Sequence, residues 1–336
     1  MRCGSKRTLM LLSCVVSLSC CAPLHAQRAA SARKAALPLS TVARFDRGPR
    51  AIRIPLEIDN NIILLGVRVN GSKPLKFIFD TGASLSAIDS KRAAELGLKS
   101  TDQLRANATG GSVEGSAIEH VELSVQGAKV IDQMIASLPF PTVPGFAYDG
   151  VLGCDFIRHF VVEIDYQKKM MKLFASRSYS YRGKGAVIRF WYKPGGTPLT
   201  RTTIIVDAQR PVEANLEIDT GGDGAFILNS PFVARHKLLE TIPKTNESTH
   251  RGAGGEQPLV FGQVKAVRLG RIVFQNPPVG LSQETEGAGA SEENDGRISG
   301  EIFRRFKVIL DLAHNRMILE KNKSFSDPYR LETDDN

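Results

Sequence analysis

Twice along the chain a short strand of alternating apolar residues runs into the same tripeptide. KFIFDTGASLSAI sets Phe77 and Phe79 before Asp80-Thr81-Gly82, with an apolar run, Leu85 to Ile88, after it. ANLEIDTGGDGAFIL sets Leu216 and Ile218 before Asp219-Thr220-Gly221, followed by Ala225 to Leu228. A period of two marks a strand with one face buried.

The surrounding pattern is also strand-like. Ile52, Ile54, Leu56 and Ile58 alternate, and Ile62 to Val69 is a second apolar run. Asn70-Gly71 supplies the positive φ angles of a tight hairpin. Asp89-Ser90 predicts the cap of a short helix, KRAAEL, ended by Gly97. Residues 99–116 are polar and Gly-rich around Thr109, Gly110 and Gly111, which predicts an exposed hairpin. Val121 to Val125 and Val130 to Ile135 read as strands.

After SRSYSYRGKG (176–185), the best linker in the chain, the same order begins again. Thr202 to Val206 and Ala214 to Ile218 are strands. Ser230-Pro231 predicts a helix start with a capping hydroxyl and proline in the first turn. Gly252-Ala253-Gly254-Gly255 takes the place of the earlier Gly-rich turn. The two tripeptides lie 139 positions apart, and the later motifs repeat at 146: Asp149-Gly150 on Asp295-Gly296, Arg158 on Arg304, Phe160 on Phe306, Asp165 on Asp311. A repeat of this length means two similar lobes.

Composition sets the outer bounds. The 336 residues are 42% hydrophobic and 24% charged, enough for two cores. The net charge of +9 is concentrated in the first fifty residues. Arg2, Lys6 and Arg7 supply three units, and residues 27–50 hold six basic residues against Asp46, so the remainder is near neutral. No broad basic face remains for nucleic acid.

Residues 1–26 read as a secretory signal: a basic start, an apolar run from Leu9 to Ala22, and Leu24-His25-Ala26 for cleavage. The run is shorter than the ~20 residues of a membrane span. The boxes ending at Cys14 and Cys21 fit lipid attachment less well than soluble export. The expected location is the periplasm or outside a bacterial cell. Four of the five cysteines lie in the signal, which leaves Cys154 as a small buried hydrophobe and no internal disulfide.

The expected organisation is a signal (1–26), a flexible leader (27–50), a first lobe (51–175), a linker (176–185), a second lobe (186–322) and a polar tail (323–336). The five histidines after the signal lack metal-ligand spacing, no Gly-x-Ser-x-Gly elbow is present, and the Asp219 loop lacks the glutamate of a calcium loop. No metal or cofactor is expected. Glu284, Glu286, Glu292 and Glu293 read as a solvated loop.

Two carboxylates facing one water are what peptide hydrolysis by acids requires. Like charges at close range cannot both ionise, so one takes a proton from water while the other donates one. Asp80 and Asp219, one per lobe, meet that need. Gly82 and Gly221 let backbone amides approach the carboxylates, and the Thr81 and Thr220 hydroxyls are able to join the two loops.

These motifs resemble the aspartic peptidases, and within them the retropepsin-like group, over most of residues 51–322. The family's Asp-Thr-Gly-Ala-Ser/Asp motif matches Asp80 to Ser84, and less closely Asp219 to Asp223, where Gly222 replaces Ala or Ser. Its flexible Gly-rich flap matches Thr109 to Gly111 and Gly252 to Gly255. Its apolar-apolar-Gly motif matches Val151-Leu152-Gly153, with Arg297-Ile298-Ser299 in the second lobe, where Ser299 replaces Gly.

The resemblance implies a mostly β, bilobal acid-protease fold of two barrel-like lobes with a few short helices. It implies a monomeric endopeptidase acting on an extended peptide. Asp80 and Asp219 would be catalytic, with Thr81, Gly82, Ser84, Thr220, Gly221 and Asp223 supporting them. Gly110, Gly111, Gly254 and Gly255 would lie in flaps. The alternative is a catalytically weak or inactive peptide-binding protein on the same fold.

Overall fold

The computed structural model describes residues 12–13, 16–18, 42–46, 51–193, 196–207 and 210–330. Most of the expected signal and leader, and residues 331–336 of the expected tail, lie outside them. Three sheets account for the architecture, one for each half of the chain and one shared between them. No helix among the described residues is long and apolar enough to cross a membrane.

The first-half sheet delivers Asp80. Ile62–Val69 turns through Asn70 and Gly71, both at positive φ, into Leu75–Phe79. Gly150–Leu152 slots in beside that strand in parallel, Val151 against Ile78, and also pairs with Ala87–Asp89. The second half repeats the device: Gly296–Ile298 lies parallel to Arg210–Ile218, with Arg297 against Glu217. Two matched aspartates pin these inserts. Asp149 accepts from the Lys76 amide (2.8 Å) and Arg92 (2.7 Å), while Asp295 accepts from the Asn215 amide (2.8 Å) and Arg235 (2.7 Å).

The shared sheet runs in the order Ala186–Arg189, Arg316–Lys321, Phe306–Asp311, Phe160–Asp165, Met170–Ala175, Ile52–Pro55. Three strands come from each half, and the middle pair joins the halves antiparallel, Glu163 against Ile309. Leu56 breaks the alternating run at 52–58: Ile52–Pro55 joins the shared sheet and Glu57–Asp59 the first-half sheet. One apolar core, including Phe77, Phe79, Phe156, Phe160, Phe226, Phe303 and Phe306, continues through both halves beneath the paired loops.

Several elements differ from the pattern read in the sequence. Val42–Phe45, inside the expected leader, adds a strand to Ala128–Leu138. The linker is pinned: Tyr179 and Tyr181 pack over Val161, Ile309 and Ile318 and donate to Glu163 and Glu320. The tail begins with a turn, Lys323–Ser326, held because buried Arg305 donates to the carbonyls of Ser324, Phe325, Asp327 and Pro328. Ser230 is inside its helix rather than the cap. Asn229 takes the cap position, and the Ser230 hydroxyl donates to the Glu284 carbonyl at 2.6 Å.

Two long hairpins rise over the paired loops. The first is Gln103–Ala108 with Gly111–Val125, and the second is Lys244–Gly252 with Gly255–Gln263. The first is less exposed than its composition suggests, since Ala106, Ala108 and Val113 are buried with Ala253 from the second hairpin. The outer strands carry short additions, Val16–Leu18 on the first and Leu12–Ser13 on the second.

Candidate active site

Each Asp-Thr-Gly loop is a tight turn closed by its own aspartate. The Gly82 and Ala83 amides donate to Asp80 Oδ1 at 2.7 and 3.2 Å. The Gly221 and Gly222 amides donate to Asp219 Oδ1 at 2.9 and 3.1 Å. The Asp80 and Asp219 amides donate to Leu152 and Ile298, both at 3.0 Å, which fixes each loop to its inserted strand.

The threonines then lock the loops to one another. The Thr81 amide donates to Thr220 Oγ1 at 3.0 Å, and the Thr220 amide to Thr81 Oγ1 at 3.1 Å. Each hydroxyl passes its own proton across the interface, Thr81 to the Ile218 carbonyl (2.5 Å) and Thr220 to the Phe79 carbonyl (3.0 Å). All these groups are buried, so water cannot substitute for a lost partner.

The lock brings Asp80 and Asp219, both wholly buried, face to face. A Cβ added to Gly82 would stand 2.9 Å from Asp219 Oδ1 and 3.1 Å from Asp80 Oδ1, and one added to Gly221 would strike Asp80. Only glycine leaves room for the pair. The two carboxyls border the same gap beside Gly82, and Asp80 Oδ2 meets no donor among the described residues. Two acceptors in that position need a proton between them.

Burial pushes Asp80 well above the usual carboxylate range, and the nearby charge of Asp219 adds to the rise. Burial raises Asp219 too, but Arg297 partly offsets it. The Arg297 Nε lies 3.5 Å from Asp219 Oδ2, with both side chains buried. The pair titrates as one unit with the remaining proton favoured on Asp80.

Ser84 and Asp223 occupy matched, buried positions in the two loops, and the Asp223 carbonyl accepts from Asn61 at 3.0 Å. Cys154 is buried under the first loop, where its thiol donates to the Thr81 carbonyl. The hairpin tips interlock above the pair. The Gly254 amide donates to the Thr109 carbonyl at 2.9 Å. A Cβ on Gly110 would fall 2.2 Å from the Gly255 carbonyl oxygen, and one on Gly254 would fall 2.5 Å from that of Gly111.

Of the four glutamates expected in a solvated loop, Glu286, Glu292 and Glu293 are exposed, and Glu284 is the correction. It is buried, takes the Gly110 amide on Oε1 at 2.6 Å, and accepts from Gln257 of the second hairpin. Burial raises its carboxyl above the ordinary range. Gln257 in turn accepts from Arg297 Nη2 at 2.7 Å. In the sequence Arg297 belongs to the second motif without a role. The available signal was a charge where the first lobe has Val151.

The fold is that of the bilobal aspartic proteinases. Residues 65–156 match the aspartyl protease family; the Asp219 loop lies beyond the matched stretch. No curated protein matches the chain in sequence. In structure it is similar to an aspartic proteinase from Irpex lacteus, at a TM-score of 0.55 and 13% identity, over 84% of this chain and 100% of that one. That likeness establishes the mostly β, bilobal fold.

Proposed function

We propose that the chain is an aspartic endopeptidase in which Asp80 and Asp219 form the catalytic dyad. The observation that carries this reading is the pair itself: one carboxyl from each half, buried, bordering one gap beside Gly82, with no donor to relieve Asp80 Oδ2 among the described residues. Such a pair keeps one proton and one charge. The ionised member removes a proton from water as its oxygen bonds to the scissile carbonyl carbon, and the protonated member gives its proton to the carbonyl oxygen. Passing the first proton to the amide nitrogen breaks the C–N bond and releases the amine, while one hydroxyl of the gem-diol returns its proton to the other carboxylate, leaving the carboxylic acid product and the pair as it began.

The hairpins support an extended peptide as substrate. Their outer strands already take added strands, Val16–Leu18 and Leu12–Ser13, so backbone pairing is open to a linear chain there. The reading includes export through residues 1–26 to the periplasm or medium, action as a monomer, and no metal or cofactor. N-terminal sequencing of the exported protein should find a start after Ala26.

Purified protein incubated with a peptide library and followed by mass spectrometry tests the activity. Wild-type protein should cleave, and Asp80→Asn and Asp219→Asn should each fall to background. Cleavage surviving in either variant would overturn the dyad. Retained peptides without cleavage by wild type would mean a binding protein on this fold.

A further inference from the structure

The two halves differ immediately behind the paired loops. In the first half the parallel strand pair there is apolar, Ile78 beside Val151. In the second half the corresponding pair is Glu217 beside Arg297. All four side chains are buried. The charges are organised: Lys193 pairs with Glu217 at 3.1 Å, while Arg297 turns toward Asp219 Oδ2 at 3.5 Å.

Arg297 is also held from above. Its Nη2 donates to Gln257, Gln257 donates to Glu284, and Glu284 accepts the Gly110 amide at the tip of the first hairpin. Residues of both hairpins thereby fix the guanidinium against one aspartate. Among the described residues no cation is paired with Asp80 as Arg297 is with Asp219, and the charges that act most on it, Asp219 and Glu217, are both negative.

We propose that Arg297 is a positioning residue that divides the roles within the dyad, holding the negative charge on Asp219 and leaving the shared proton on Asp80. The inference rests on the reading of these aspartates as a peptidase dyad and makes that reading directional. Asp219 receives the proton from water, and Asp80 protonates the carbonyl oxygen. An opposite charge within about 4–6 Å lowers a carboxyl pKa by roughly 1–3. The other groups facing Asp219 are Asp80, Glu217 and Tyr166, the Ser299 hydroxyl, and the Gly221 and Gly222 amides. None of them supplies positive charge.

The test is a carbon-13 carboxyl NMR titration of full-length protein labelled at aspartate, run beside the pH profile of kcat/KM. In Arg297→Met the lower apparent pKa of the pair should rise by about 1 or more, and the acid limb of the profile should move with it. Arg297→Lys should fall between Arg297→Met and wild type. Glu217→Gln removes a competing negative charge and should move the same pKa downward, which keeps the question open to an answer if Arg297→Met fails to fold. An unmoved lower pKa in folded Arg297→Met, or no downward movement in Glu217→Gln, overturns the proposal. Because the titration needs no substrate, a protein that cleaves nothing would remove the dyad reading while still reporting where Arg297 places the charge.

Discussion

Ser299 occupies the space that a side chain at Gly222 would need. A Cβ built on Gly222 would lie 2.8 Å from the Ser299 hydroxyl, which itself stands 3.4 Å from Asp219 Oδ2. The first lobe makes the opposite choice, with Ala83 in the loop and Gly153 in the strand, where a Cβ on Gly153 would strike Leu85 and the Ala83 carbonyl. The two departures from the family motif thus meet in one space, which Asp219 Oδ2 also borders, 2.9 Å from the Gly222 Cβ position. Gly222→Ala alone should destabilise by about 1–3 kcal/mol through overpacking. Added to Ser299→Gly, it should cost less than the sum of the single changes, a coupling of about 1 kcal/mol in a double-mutant cycle read by denaturant unfolding.

Thr81 and Thr220 each make two hydrogen bonds across the halves through one hydroxyl. Thr81→Val keeps the shape but strands the Thr220 amide and the Ile218 carbonyl, at a cost of about 1–3 kcal/mol for each buried group left unsatisfied. Thr81→Ser should retain most of the stability. Thermal unfolding of wild type and both variants, with peptide cleavage beside it, should show a small loss in Thr81→Ser and a larger one in Thr81→Val. Equal stability of Thr81→Val and wild type would mean the lock holds nothing.

Gly110 sits at φ +88° with the second hairpin's carbonyl where its Cβ would go. Gly110→Ala should part the tips and break the Glu284 contact without touching the core. Amide hydrogen exchange should quicken across residues 103–116 and 250–257, with KM changing more than kcat. Unaltered exchange would mean the tips are not joined in solution.

Asp155, buried beneath the first loop, accepts from the Ser86 amide and hydroxyl, yet burial still pushes it up to about 6. Asp80 and Asp219 are displaced in the same direction. A carboxyl raised in the folded state binds its proton more tightly there than when unfolded, so stability declines as pH rises from about 4 through 6. The melting temperature should therefore be higher near pH 4.5 than at pH 7. Asp155→Asn should flatten that slope, since a folded-state pKa raised by one corresponds to about 1.4 kcal/mol. A melting temperature that climbs toward pH 7 in wild type would contradict this sign.

The repeat in the sequence located both aspartates, the threonines and the Gly-rich turns because each is specified by short local patterns. Strand alternation, a tight turn after Asp, and glycine at a crowded crossing leave marks in consecutive residues. Glu284 and Gln257 leave none. A glutamate in a Gly/Glu-rich loop looks solvated until a hairpin from the other half is laid over it, a contact 174 residues distant. Tyr181, in a stretch that reads as a linker, likewise finds Glu320 139 residues away. Arg297 stands in the second motif, but its partner Asp219 is set by the parallel insertion of its strand, which adjacent residues do not encode.

The shared sheet, with three strands from each half about its middle pair, has a consequence for heredity as well as for shape. An enzyme assembled from two identical chains must write every residue of its site twice, so a guanidinium beside one aspartate brings a second beside the other. A single gene for both halves lifts that constraint. Val151 and Arg297 are two spellings of one position, and only a fused chain is free to keep both.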